Sequence, residues 1–398
     1  MNRIQVEQAN KAQFYKDTVQ QHGSPLLLLD CNKIIDQFNV LSDALPNVDF
    51  FYAIKALPHP AVIKTLASLG AGFDIASSGE IDLLSSVTTA ERPRTIHTHP
   101  IKRNSDIRDA LRFGCTTFII DNIWELEKFI AYRHRVGILI RVSFPNPNTK
   151  IDLSRKFGCR EDEVGLLIHK AQSLGIHIKG LSFHAGSQCP TSQNHVLAIN
   201  RCIAIINAVY ADCGKILSIL DIGGGFPVQY TESVQTIEEF CSPIRDALKN
   251  LPPHIQLIAE PGRFLSAPAM EAISTVMGKA KRGNTMWYYL DDGVYGSYSG
   301  QIFDHVTYPL TTFGDKKKTA HAVIAGPTCD SIDVIADEIK LPPLSIGDLV
   351  IGHQMGAYTY ATATHFNLFS KAKIIAINES VNTTNNILAF KNRKSLIS

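Results

Sequence analysis

Short apolar runs alternate with longer amphipathic stretches through the first two thirds of the chain. The runs fall at residues 49–54, 72–76, 95–99, 116–120, 136–142, 178–183, 216–222 and 255–260. Between them lie segments with helical spacing of apolar positions, such as residues 61–66 and 107–111. Eight strand-like runs spaced roughly 20 to 40 residues apart predict repeated strand–helix units. Chemically capable residues recur where the runs end: Lys55, Asp74, His97, Arg141, His184, Gly223 to Gly225 and Glu260. An open sheet would spread these along a line, whereas a (β/α)8 barrel gathers them on one face, so the barrel is the expected α/β architecture.

After about residue 270 the rhythm changes. Residues 286–290, 321–325, 348–352 and 373–378 read as strands separated by Gly, Pro and Asp turns, with few helical stretches. The expected division is a barrel over residues 30–270 and a mostly β domain built from residues 1–29 and 271–380. Residues 1–24 read as a polar helix, and Pro25-Leu26-Leu27-Leu28-Leu29-Asp30 as a strand. Residues 381–398, with Asn382-Thr383-Thr384-Asn385-Asn386, read as a flexible tail.

Composition narrows the function classes. A chain of 398 residues with 45% hydrophobic and 19% charged residues supports a large core. The net charge of +2, without a basic stripe or acidic block, gives no reason to expect nucleic acid or an anionic membrane as partner. No signal-peptide core follows Met1, and no apolar run is expected to reach membrane-spanning length. Eight cysteines without CxxC or zinc spacing read as reduced thiols in the cytosol, and no metal site is expected.

The motifs carry the chemistry. Lys55 ends the apolar run Phe50-Phe51-Tyr52-Ala53-Ile54, where a dry pocket would favour the neutral, nucleophilic amine; a lysine at a strand end can equally snorkel to water. Asp221-Ile222-Gly223-Gly224-Gly225-Phe226-Pro227 follows the seventh run. Its glycines let successive N–H groups approach an anion, and barrels often hold phosphate there. Glu260-Pro261-Gly262-Arg263 follows the eighth run and sets a carboxylate beside a guanidinium that reaches the same anion, or else pairs with Glu260. His184-Ala185-Gly186-Ser187 follows the sixth, offering a flat imidazole and a hydroxyl. Gly326-Pro327-Thr328-Cys329-Asp330 lies between a strand and a helix-like run, with Cys329 as a candidate acid or nucleophile and Asp330 as an anionic contact for a cationic substrate. Gly356-Ala357-Tyr358 sets a tyrosine after a tight turn.

Taken in order, and with Gly72-Phe73-Asp74-Ile75-Ala76-Ser77, these segments resemble the pyridoxal-phosphate decarboxylases of the alanine-racemase-like fold (fold type III). That family acts on ornithine, lysine, diaminopimelate or arginine. The resemblance spans roughly residues 25 to 378. It implies a pyridoxal 5'-phosphate cofactor carried by Lys55, His184 stacked on its ring, and Glu260 keeping the ring nitrogen protonated within a polar network of Arg141 and Asp74. It implies phosphate contacts from Ser187, Gly223, Gly224, Gly225, Gly262, Arg263 and Tyr358, with Glu80 as a carboxylate near the lysine. It also implies a homodimer in which Cys329, Asp330 and Phe366 come from the partner chain, Cys329 returning a proton to the substrate's α-carbon. Asp304 and Asp330 would hold a distal ammonium. The implied reaction is L-ornithine to putrescine and CO2 in polyamine biosynthesis; the alternative is lysine, or both. Asp330 directly after Cys329 argues against diaminopimelate or carboxynorspermidine. Phe303 stands where eukaryotic ornithine decarboxylases usually carry tyrosine, which puts strict ornithine selectivity in doubt.

Overall fold

A computed structural model of the chain describes residues 3–88, 92–145, 154–313 and 319–379. The expected tail, residues 381–398, lies outside the described residues. The chain divides into two compact units. Among the described residues, one comprises 3–33, 229–233 and 266–379; the other falls within 34–228 and 234–265.

Helix α1 (Arg3–His22), strand β1 (Leu26–Asp30) and helix α2 (Cys31–Ala44) precede the barrel. Its strands are β2 (Val48–Ala53), β3 (Gly72–Ile75), β4 (Thr95–His97), β5 (Thr117–Ile120), β6 (Gly137–Val142), β7 (His177–Phe183), β8 (Ile219–Asp221) and β9 (Gln256–Ala259). All eight neighbouring pairs are parallel, and β9 pairs back onto β2 (Val48 opposite Leu257) to close the barrel. Each strand is buried on both faces, which is why it reads as an unbroken apolar run. Inside, Phe51, Ile96, Ile119, Leu139 and Ile258 form one packed layer. Burying each such side chain contributes about 1.5–3 kcal/mol.

Alternation along β4 corrects one expectation. With Ile96 inside the barrel, its neighbour His97 faces the helix layer and stacks on Phe118 at 5.7 Å, so it does not reach the barrel mouth. Among the outer helices are α3 (Pro60–Ser68), α4 (Ser78–Val87), α5 (Asn104–Phe113), α6 (Ile123–Glu127), α7 (Val164–Ser173), α8 (Gln193–Cys213) and α9 (Ile237–Leu248). Helix α8 corrects a second expectation. By length and composition it is apolar enough to cross a membrane, because Asn200, Arg201 and Asn207 are outweighed by Ile, Val, Leu and Ala. In the fold it packs His195, Ala198, Ile199, Cys202, Ile206 and Val209 inward.

The short helix α10 (Arg263–Ser266) leads to β10 (Met270–Arg282), the long strand of the second unit. There follow β11 (Thr285–Leu290), α11 (Gly300–Phe303), β12 (Leu310–Thr312), β13 (Ala320–Ala325), β14 (Val334–Leu341), β15 (Leu349–Gly352) and β16 (Lys373–Ile377). The sheet order is β12-β15-β10-β11-β13-β14, with β1 antiparallel to β10 and parallel to β16. The helix-like run expected after Asp330 is the strand β14. A core of this sheet unit is Tyr15, Leu26, Leu28, Ile273, Leu349 and Ile351.

Glu271 on β10 pins α1 to this sheet. It accepts from Tyr15 Oη at 2.6 Å, from His353 Nδ1 at 3.1 Å and from Lys11 Nζ at 3.3 Å, with Lys33 at 3.8 Å. Burial opposes its charge, but the His353 and Tyr15 hydrogen bonds and the two ammoniums prevail and hold it at about 2. A carboxylate held below its unfolded value near 4.3 stabilises the fold above that pH, and the gain disappears as pH falls towards 2. In urea titrations, the wild type is expected to lose about 2–3 kcal/mol more than Glu271→Gln between pH 5 and pH 2. Equal losses in both proteins would contradict this.

Candidate active site

The strand ends of the barrel set a second inward layer above the apolar one. Asp74 pairs in register with Ala53, Ser182 pairs with both Arg141 and Asp221, and Glu260 directly follows β9. These positions lie two residues beyond the apolar layer on their strands, so they face the same interior. Buried Asp74 accepts from Lys55 Nζ, an ion pair, and from the Thr98 hydroxyl. Lys55 sits in the one-turn 3-10 helix directly after β2, with its side chain half exposed. Ser182 donates to Asp221 at 3.2 Å, and Gly223 N–H donates to the same carboxylate at 2.9 Å.

Burial, then the charges of Asp221 and Asp74, push Glu260 well above the carboxylate range; Glu260 is hydrogen-bonded to Asp221, which burial also raises. Burial and their mutual repulsion therefore favour a proton shared between the two carboxyls. Burial pulls Arg141 down while Glu260, Asp221, Asp121 and Asp74 oppose that shift. The guanidinium lies over the Phe157 ring at 5.5 Å.

His184 follows β7 directly. Its Nδ1 accepts from the Gly186 N–H at 3.1 Å, and burial followed by Arg141 and Lys55 drives its pKa far down, so the ring is neutral. Arg263 Nη2 donates to Ser187 Oγ at 3.1 Å, leaving the serine hydroxyl free to donate elsewhere. Between these groups lies the glycine loop. Gly223 and Gly225 have φ of +67° and +97°, a region that L side chains rarely adopt. A Cβ at Gly225 would lie 2.5 Å from Gly186 O, and one at Gly224 3.3 Å from His184 Nε2. The amides of Gly224 and Gly225 donate to no group among the described residues.

The predicted residues thus fall into two groups. Lys55, Asp74, Arg141, His184, Ser187, Gly223, Gly224, Gly225, Glu260, Gly262 and Arg263 belong to the barrel unit. Cys329, Asp330, Phe366, Asp304 and Tyr358 belong to the other. There, Tyr295 donates to Asp330 at 2.5 Å and stacks on Phe366 at 4.3 Å, while the N–H and Sγ of Cys329 both lie 3.2 Å from Asn367 Oδ1. A shallow groove lined by Asp292, Tyr295, Thr328 and Phe366 runs beside this cluster. Asp304 caps α11, and Tyr358 follows Gly356 in a turn with φ of +54°. Cys329 is the exposed cysteine; burial pushes Cys115 to about 11 and Cys159, Cys189 and Cys241 to about 12. Sequence reasoning missed Tyr295, Asn367 and His195. Tyr295 alone had a signal, standing between two glycines in Gly293-Val294-Tyr295-Gly296.

An amine, a proton-holding buried acid, a neutral flat ring and idle amides beside Ser187 and Arg263 form a donor set that fits a flat, phosphorylated aldehyde with a basic ring nitrogen. A model of the pyridoxal-binding domain of pyridoxal-dependent decarboxylases matches residues 31–267. The chain belongs to this decarboxylase family. Pyridoxal phosphate is its cofactor. A lysine/ornithine decarboxylase from Selenomonas ruminantium is 33% identical over 353 residues, 88% of this chain and 89% of that protein. Antizyme inhibitor 2 from Xenopus laevis is 34% identical over 350 residues, 83% of this chain and 76% of that protein. The crystal structure of a lysine/ornithine decarboxylase from Vibrio vulnificus complexed with cadaverine is 50% identical and covers 93% of this chain and 99% of its own, with a TM-score of 0.89.

Glu80, three residues into the capped start of α4, adds a pH dependence to the site. Its carboxylate accepts from Ala76 N–H at 2.6 Å, yet burial and then the Asp74 charge raise it to about 7. A carboxyl with a folded pKa above its unfolded value near 4.3 binds more protons when folded, so stability falls as pH rises through that window. For the apoprotein, the step from pH 5 to pH 7 is expected to cost about 1–2 kcal/mol that Glu80→Gln does not lose. Parallel denaturation curves of the two proteins at both pH values would refute it.

Proposed function

We propose that the protein decarboxylates basic L-amino acids that carry a distal ammonium, converting L-ornithine to putrescine and L-lysine to cadaverine in polyamine biosynthesis. The observation that carries this reading is Asp330. Its carboxylate is held below the usual range by the Tyr295 hydroxyl, and the residue directly follows Cys329 in the chain, the cysteine that is exposed. A fixed anion one residue along the chain from an exposed thiol suits a substrate with a cation at its far end. Asp304 is the second acidic group proposed for that end. The reading is supported by the Vibrio vulnificus enzyme, whose structures hold cadaverine and putrescine. One methylene separates the two substrates, worth only about 1–3 kcal/mol in a pocket.

When bound, pyridoxal phosphate supplies the electron sink for the carbanion left by loss of CO2. The chain's residues do the rest. Lys55 is the covalent anchor, with its amine held by Asp74. Glu260, sharing a proton with Asp221, keeps a proton available to a ring nitrogen. His184, neutral and fixed through Nδ1, presents a ring face. Ser187, Arg263 and the Gly224 and Gly225 amides hold phosphate, with Tyr358 as a further contact. Asp330 orients the substrate's distal end, Phe366 walls it, and Cys329 returns a proton to the α-carbon. In this reading Cys329, Asp330 and Phe366 act from the partner chain of a cytoplasmic homodimer. The presence of Lys55, His184, Glu260, Arg263 and Cys329 together speaks against a non-catalytic regulator.

A competition assay with ornithine, lysine and diaminopimelate tests the substrate class. Comparable kcat/KM for the first two and none for the third is expected, with Asp330→Asn lowering the first two by about a hundredfold, the scale of one lost charged hydrogen bond. Turnover of diaminopimelate, or no CO2 from either diamino acid, would sink the reading. Mixing Lys55→Ala with Cys329→Ala, each inactive alone, tests the shared site. Activity regained on subunit exchange is expected, and none would place both residues' work within one chain.

A further inference from the structure

Each glycine carbonyl after β8 is tied down by a different element. Gly223 O accepts from the Glu260 N–H at 2.8 Å, Gly225 O from the Cys189 N–H at 3.0 Å, and Gly224 O faces His195 Nε2 at 2.9 Å. In a trans peptide the C=O and the N–H that follows it share a plane and point opposite ways. Holding these carbonyls therefore aims the amides of Gly224, Gly225 and Phe226 to the other side of the loop. Two of the anchors are backbone groups. His195 is the one supplied by a side chain.

His195 lies on α8, 29 residues before Gly224. It is fully buried, stacked on Phe226 at 5.9 Å and edge-on to Phe240 at 5.5 Å and Phe183 at 6.3 Å. A carbonyl oxygen only accepts, so Nε2 carries the proton. Nδ1 has no hydrogen-bond partner among the described residues. A phenylalanine would fill this aromatic box without burying an unsatisfied nitrogen, so the histidine carries a desolvation cost that only its Nε2–H offsets. Burial lowers its pKa to about 4, consistent with a neutral donor.

We propose that His195 is a positioning residue for the cofactor's phosphate: by holding the Gly224 carbonyl, its Nε2–H turns the Gly225 amide toward that group. This rests on the reading of the glycine loop as the phosphate cradle.

The test titrates full-length apoprotein with pyridoxal phosphate and, separately, with unphosphorylated pyridoxal, following the spectrum of the Lys55 adduct. His195→Phe is expected to weaken pyridoxal phosphate about tenfold, the scale of one misaimed hydrogen bond to a charged group. Pyridoxal binding should be unchanged, and His195→Gln, which keeps a donor, should recover part of the loss. His195→Met replaces the phenylalanine variant if circular dichroism shows the latter unfolded. Unchanged affinity for pyridoxal phosphate overturns the proposal; equal weakening of both ligands also does, because it marks a purely structural role. Arg263→Met separates the two levels. If it lowers the phosphate preference and His195→Phe does not, only His195's role fails. If it too leaves the preference intact, the cradle reading fails and the His195 proposal falls with it.

Discussion

Strand alternation in a closed barrel is the constraint on which the site depends. Once Phe51, Ile119, Leu139 and Ile258 fill one interior layer, the residues two positions further along each strand must face the same axis. Here those residues include Asp74, Asp121, Arg141, Asp221 and Glu260. Asp74, Asp221 and Glu260 are buried among them, and buried carboxylates this close need compensation. Lys55 pairs with Asp74, and burial together with the charges of Asp221 and Asp74 raises Glu260, which favours a proton shared with Asp221. Asp121 accepts from the Gly158 N–H at 2.9 Å.

The barrel was legible because parallel strands are buried on both faces and stand out as apolar runs, and because Lys55, His184 and Glu260 mark their ends. His97 was misread for a physical reason. In a three-residue strand, sequence does not say which alternate positions face in; pairing does, and it puts Ile96 inside. The second unit was harder. Strand β10 is buried over its first half and largely exposed beyond the irregularity at Val276 and Gly278, so no single period runs through it. Strand β14, Val334-Ile335-Ala336-Asp337-Glu338-Ile339-Lys340-Leu341, carries good helix formers but takes the sheet edge, where charged side chains meet water.

Partners distant in sequence were equally beyond reach. Tyr295 meets Asp330 across 35 residues and Asn367 meets Cys329 across 38, each contact created by the fold of the sheet unit. What sequence supplied was the inventory of reactive groups. What the structure added was the set of otherwise silent side chains, Tyr295, Asn367 and His195, that aim them.

The raised acids of the barrel have one further consequence. Glu260 with Asp221, and Glu80 near neutrality, make the cofactor-free barrel a small internal buffer. Any ligand that changes the charge at the mouth redistributes those protons with the solvent, so loading is an acid–base exchange as well as an association. An affinity measured for this site is thus a property of the protein at one pH, and its heat of binding includes the ionisation heat of whatever buffer accepts or supplies the protons.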